Sequence, residues 1–195
     1  MAKVLLTRVA AIVVASAFAG AGVEAETRLI DVDRSTLTVS VYKSGLFSAF
    51  ADNHVIRAPI ATGHVTDDRK LGAEVAVHAA DLMVLDPSLP VEKRAEIAVR
   101  MHGTEVLDTA KYPEIVFAST DLVADGADRW QMTGVLTLHG VSRSVMGSVV
   151  LQNGHYRGTL SIRQRDFGIQ PISIAGGTVK VKDEVRIDFD IVTRK

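Results

Sequence analysis

Val185-Arg-Ile-Asp-Phe-Asp-Ile191 decides the fold. Val185, Ile187, Phe189 and Ile191 alternate strictly with Arg186, Asp188 and Asp190. Successive side chains of an extended strand point to opposite faces, so one face of this segment is apolar and the other charged. In a helix of the same sequence Asp188 would lie opposite Arg186 and Asp190, and the apolar residues would be split between two faces in the same way.

The same period runs back through the chain. Trp130, Met132, Leu136 and Leu138 share one parity, with Gln131, Thr133 and Thr137 on the other. Val145, Gly147, Val149 and Leu151 follow, then Tyr156, Gly158, Leu160 and Ile162. Upstream, Leu37, Val39 and Val41 alternate with Thr38, Ser40 and Tyr42, and Val75 and Val77 with Glu74, Ala76 and His78. Between these runs stand Ala124-Asp-Gly-Ala-Asp128 and Gln152-Asn-Gly-His155, the latter holding the Asn-Gly pair that suits a two-residue hairpin. Short half-buried strands joined by turns predict an all-β antiparallel sheet that must curl or close to remove its edges. We expect eight strands in a barrel. Such a barrel is either filled by its own side chains or holds one small ligand.

One stretch departs from period two. Leu85-Asp-Pro-Ser-Leu-Pro90 reads as a loop, and Val91 to His102 as a short helix with Ala95, Ala98 and Met101 at helical spacing. It is expected to lie over one mouth of the barrel.

Lys3 and Arg8 precede an uncharged small-apolar run from Val9 to Val23, and Val23-Glu-Ala25 resembles a cleavage site. Residues 1–25 are therefore expected to be a cleaved secretory signal, and 26–195 one barrel domain, periplasmic or secreted. The run is shorter than the ~20 apolar residues of a spanning helix. Removing Lys3, Arg8 and Glu24 from 22 basic and 23 acidic side chains leaves 20 and 22, too balanced for a nucleic-acid surface. There is no Cys, so stability rests on packing and backbone pairing.

Six histidines, His54, His64, His78, His102, His139 and His155, show no metal-ligand spacing, and no metal site or other cofactor is expected. Nucleophile-elbow, P-loop, zinc-protease and dinucleotide motifs are absent, so we expect no catalytic residue and no enzyme, although a triad assembled by folding is invisible to sequence. The inward parity nominates Val39, Val41, Val75, Met132, Leu136, Leu138, Val149, Leu160, Ile162, Ile187 and Phe189 as the lining of an apolar interior. Gly134, Gly147, Gly158 and Ala73 on those faces either leave room or relieve strand curvature.

Three separated segments, Glu105-Val-Leu-Asp-Thr-Ala-Lys-Tyr-Pro-Glu-Ile-Val-Phe117, Gly134-Val-Leu-Thr-Leu-His-Gly-Val141 and Arg165-Asp-Phe-Gly168 with Lys182-Asp-Glu-Val-Arg-Ile187, resemble the YceI-like family in order and spacing. The resemblance implies an exported lipocalin-like barrel that binds polyisoprenoid, isoprenoid quinone or acyl lipid. It also implies two further partner classes: a membrane redox protein, since some members are encoded beside or fused to cytochromes, and a second copy, since such barrels can pair. An enzyme acting on a bound isoprenoid and a barrel with a filled core are the remaining alternatives. Most signature residues, among them Tyr112, Pro113, Gly140, Phe167 and Gly168, are expected to shape turns and plug barrel ends. His54, in Gly45-Leu-Phe-Ser-Ala-Phe-Ala-Asp-Asn-His-Val-Ile56, falls where the family often has a mouth histidine. It is read either as a headgroup ligand, with Asn53 beside it and Phe47 and Phe50 flanking the opening, or as a histidine satisfied by backbone. The family's His-Leu-Arg-Ser run is replaced by Arg100-Met-His-Gly103.

Overall fold

A computed structural model describes residues 26–44, 53–67, 72–174 and 179–194. The period-two segments are strands: β1 (Glu26–Leu29), β2 (Thr36–Ser44), β3 (His54–Arg57), β4 (Thr62–Asp67), β5 (Gly72–His78), β6 (Met83–Val84), β7 (Glu114–Ala124), β8 (Arg129–Leu138), β9 (Val141–Gln152), β10 (His155–Arg163), β11 (Ser173–Ile174) and β12 (Val179–Val192). A helix, α1 (Val91–His102), stands between β6 and β7 where the sequence places it. The strands pair antiparallel in the order β1-β4-β5-β7-β8-β9-β10-β12-β2-β3-β6, with β11 on β12.

Twelve segments replace the expected eight strands. The excess comes from interruptions within longer strands, with β11 added as a short clip. Between β1 and β2 the Arg34 and Ser35 amides both donate to the Asp31 carbonyl, a local turn. Between β3 and β4 stands Pro59, which has no N–H to give a ladder. There the Ala58 amide still donates to Leu37 of β2, and the Ala61 amide already donates to Ala76 of β5. Between β5 and β6 lies a 3-10 turn, Ala79–Asp81. Joined across these breaks, β1 with β2, β3 with β4 and β5 with β6 run as three bent strands beside β7, β8, β9, β10 and β12. The sheet's two ends meet along Ala58–Ala61, so the sheet is curled into a barrel and loses its open edges.

Inward parity follows the sequence pattern. In β8, Met132, Leu136 and Leu138 are buried, while Gln131 and Val135 are exposed. A bulge between Ser119 and Asp121 in β7 shifts the parity there, bringing Phe117 and then Leu122 to the interior.

The glycines on the inner faces do not leave empty space. A Cβ on Gly134 would collide with the Phe117 ring from β7, and one on Gly158 with the Phe189 ring from β12 and the Ser148 carbonyl from β9. Gly134 and Gly158 are each the floor on which a neighbouring strand's aromatic ring lies, whereas Gly147 lies against Leu160 and the Thr159 carbonyl of β10.

The signature residues close one end. His139 and Gly140 turn the chain between β8 and β9 with positive φ (51° and 71°). The Tyr112 ring tilts against His139 at 4.4 Å and covers Gly140, where a side chain would strike it. His139 Nδ1 donates to the Phe167 carbonyl at 3.2 Å, and Phe167 is 1% exposed. At the same end the buried side chains of Met101 and Leu107 turn inward from α1 and the turns after it. Gly103 terminates the helix, its amide donating to Val99 and Arg100 carbonyls.

Candidate functional site: an apolar interior cavity

The barrel encloses a cavity of about 220 Å³. All the bent strands line it, from Gly72 and Leu122 toward one end to Met101, Leu107 and Ile169 at the other. On β8 alone the lining positions Met132 to Leu138 extend over about 20 Å of strand. Among the described lining residues Gln164 and Tyr156 alone carry polar side-chain atoms, and none carries a charge. Among the described residues no carboxylate, imidazole, amine or thiol faces the space. What such a chamber does is remove hydrocarbon from water.

Val39, Val41, Val75, Met132, Leu136, Leu138, Val149, Leu160, Ile162, Ile187 and Phe189 all line it, as their parity predicts. Sequence reasoning missed contributors beyond the regular strands. Ile56 and Phe117 belong to strands whose alternation is short or bulged, and Leu107 and Ile169 to irregular segments. Met101 carried the helical spacing that could have nominated it. Gln164 sits in a 3-10 turn (Gln164–Phe167), where no period betrays an inward residue.

The proposed mouth residues are placed differently. Phe47 and Phe50 lie outside the described residues. Asn53 is exposed, and its Oδ1 accepts the Lys43 amide at 3.2 Å. His54 does not reach the cavity wall; its Nδ1 donates to Asp86 Oδ2 at 2.6 Å. Asp86 is 3% exposed, and its Oδ1 accepts the Val55 amide at 2.8 Å. Arg94 fastens the same loop by donating to the carbonyls of Asp86 and Leu89. The His54 Nδ1 is thus bound to a buried carboxylate, where the sequence reading offered a headgroup or a backbone carbonyl. On α1, Arg100 pairs with Glu105 at 2.8 Å and His102 Nε2 donates to the Leu82 carbonyl at 3.1 Å.

A second His–Asp contact lies outside the cavity. Asp190 Oδ1 accepts from His155 Nδ1 at 2.6 Å and its Oδ2 from Arg157 Nε at 2.8 Å. Burial opposes charge on this carboxyl, but the hydrogen bonds from Arg157 and His155 prevail and hold it below its ordinary value of 3.8. No group of three or more His, Cys, Asp or Glu able to hold a metal exists among the described residues.

The model of the YceI-like domain matches residues 29–193, nearly the whole barrel. The chain belongs to the YceI-like family. A UPF0312 protein of Pseudomonas savastanoi pv. phaseolicola is 35% identical over 111 residues, 52% of this chain and 56% of that one. A UPF0312 protein of Vibrio cholerae is 25% identical over 132 residues, 63% of this chain and 66% of that one. The match to the Pseudomonas relative thus spans little more than half its length. Among solved structures, Burkholderia cenocepacia BcnA superposes with a TM-score of 0.65 at 20% identity, covering 83% of this YceI-like chain and 98% of that one. A polyisoprenoid binding domain from Saccharophagus degradans, implicated in plant cell wall breakdown, gives 0.53 at 13% identity over 84% and 95%. At these identities the likeness is one of fold.

Proposed function

We propose that this YceI-like protein is an exported, non-enzymatic carrier that sequesters one long apolar lipid, of the polyisoprenoid, isoprenoid-quinone or fatty-acyl class, inside its barrel. The observation that carries this reading is the uncharged cavity running the length of the strands. The polyisoprenoid-binding Saccharophagus domain of the same fold supports it at the family level. The positive, then small-apolar, first 25 residues support export to the periplasm, with the barrel from 26 onward as the mature domain.

Magnitudes favour a long tail. Ten buried methylenes contribute about 8 kcal/mol at ~0.8 each, while association costs roughly 4–15 kcal/mol. A short chain therefore barely offsets the cost of binding, and a long one is held without a strong polar contact. Catalysis would need an acid, base or nucleophile on the lining, and the described wall offers only the Tyr156 phenol, with no second group beside it to activate it.

Filling the chamber tests the reading. Leu136→Phe and Leu160→Phe should lower uptake of a purified prenyl lipid at least about tenfold while the barrel stays folded, and Leu136→Asp should abolish retention. A folded variant that still carries the lipid at wild-type stoichiometry would remove the interior from the binding role. Uptake that requires added membranes would instead favour an accessory role beside a membrane redox protein.

A further inference from the structure

The two polar side chains on the described cavity wall, Tyr156 and Gln164, stand at opposite ends of one inward row. Tyr156 opens that row on β10, which continues through Gly158, Leu160 and Ile162 to Gln164 in the turn beyond. About 20 Å of strand separates Tyr156 from Ile162. The Gln164 carboxamide is committed to the fold, donating from Nε2 to the Lys182 carbonyl at 2.8 Å. Tyr156 is not. Its side chain lines the cavity and is 8% exposed, yet its hydroxyl makes no hydrogen bond to any described residue. Buried phenols ordinarily find a partner, because leaving one without it is unfavourable.

The surroundings decide what that partner can be. In the ladders Tyr156 stands opposite Ile191 of β12 and Leu151 of β9, both apolar. Strand alternation sends its chain neighbours His155 and Arg157 to the outer face, where Asp190 accepts from both. Arg28, opposite Val65 at the same end, is not part of the lining. An anionic head beside the phenol would lose its water and gain no cation from the described wall, which one hydroxyl does not offset. A neutral oxygen, as in a quinone carbonyl or a prenol hydroxyl, needs one donor, and the phenol is one.

We infer that Tyr156 anchors the head of the bound lipid by donating its hydroxyl to a neutral oxygen, and that the cargo is a prenyl quinone or alcohol and not a prenyl phosphate. The inference rests on the carrier reading and gives it a substrate class and a direction. The tail runs from Tyr156 past Leu160 and Ile162 toward Met101 and Leu107 at the closed end.

The test compares farnesol, the hydrocarbon farnesene, farnesyl phosphate and a farnesyl benzoquinone on the mature protein. Tyr156→Phe keeps the ring and removes the donor. The ratio of farnesol to farnesene affinity should fall at least about fivefold in this variant, because the ligand oxygen is then buried without a partner. The thermal midpoint of the lipid-free variant should not fall, since the hydroxyl holds no other part of the barrel. A second measurement needs no variant: the carbonyl stretch of the bound quinone should lie below its frequency in hexane. An unchanged affinity ratio, or a carbonyl at its hexane frequency, would overturn the anchor and leave the carrier reading standing. A lower midpoint, or failure of Tyr156→Phe to fold, would also overturn it by giving the hydroxyl a structural partner. Farnesyl phosphate binding more tightly than farnesol would overturn the neutral class. Failure of every prenyl ligand to bind would overturn the carrier reading itself.

Discussion

Asp86 shows how much one side chain settles that local sequence does not. It is 3% exposed, and its two buried oxygens are satisfied by His54 and the Val55 amide, which both donate to it. The pair ties the loop before α1 to β3, so His54 holds the end of the barrel together. His54→Ala should therefore cost about 1–3 kcal/mol of stability, through a buried acceptor left short of a donor. Denaturant unfolding measures it, and lipid selectivity should not change. A stable variant with altered selectivity would return His54 to the headgroup. Nothing in the sequence announces this contact: His54 and Asp86 stand 32 residues apart, and Asp86 lies in a Pro-rich loop that reads simply as a turn. The inward valines and leucines were legible because each is one beat of a period repeated along its own strand.

At the scale of elements, alternation reveals which face is wet but not how adjacent strands seat against each other. Gly158 is an example. Its parity marks it as inward, yet its role depends on Phe189 across the β10–β12 ladder. Gly158→Ala should destabilise the barrel by roughly 1–3 kcal/mol, the usual range for overpacking, read as a lower thermal midpoint. Phe189→Leu in the same chain should restore only part of the loss, because the Ser148 carbonyl also stands where the Cβ would go. Full restoration would show that the ring alone sets the requirement. The breaks within three of the eight strands were not legible for a related reason. Pro59 is visible in sequence, but that the chain changes partners there, from β2 to β5, depends on which strands the closed sheet brings alongside. The helix was legible because Val91 to His102 lies between a Pro-containing loop and a terminating glycine.

The whole molecule joins a nearly uncharged interior to a surface whose charges work locally. Asp190 ties β10 to β12 through His155 and Arg157. Its folded pKa is depressed, so its contribution is complete above its unfolded value, near pH 4, and is lost as pH falls through the folded value. Asp190→Asn should therefore flatten the acid limb of the stability profile below about pH 4 while costing less than ~1 kcal/mol at neutrality, since the pair is partly solvated. An acid limb as steep as the wild type's would assign the loss to other carboxylates. Function at this scale rests on whether the interior holds a lipid. Native mass spectrometry of the mature protein, purified from the exported fraction without detergent and then extracted with organic solvent, asks this directly. The account predicts a discrete added mass that extracts as a prenyl or acyl lipid. A protein at its bare mass that takes up no added prenyl lipid would contradict it.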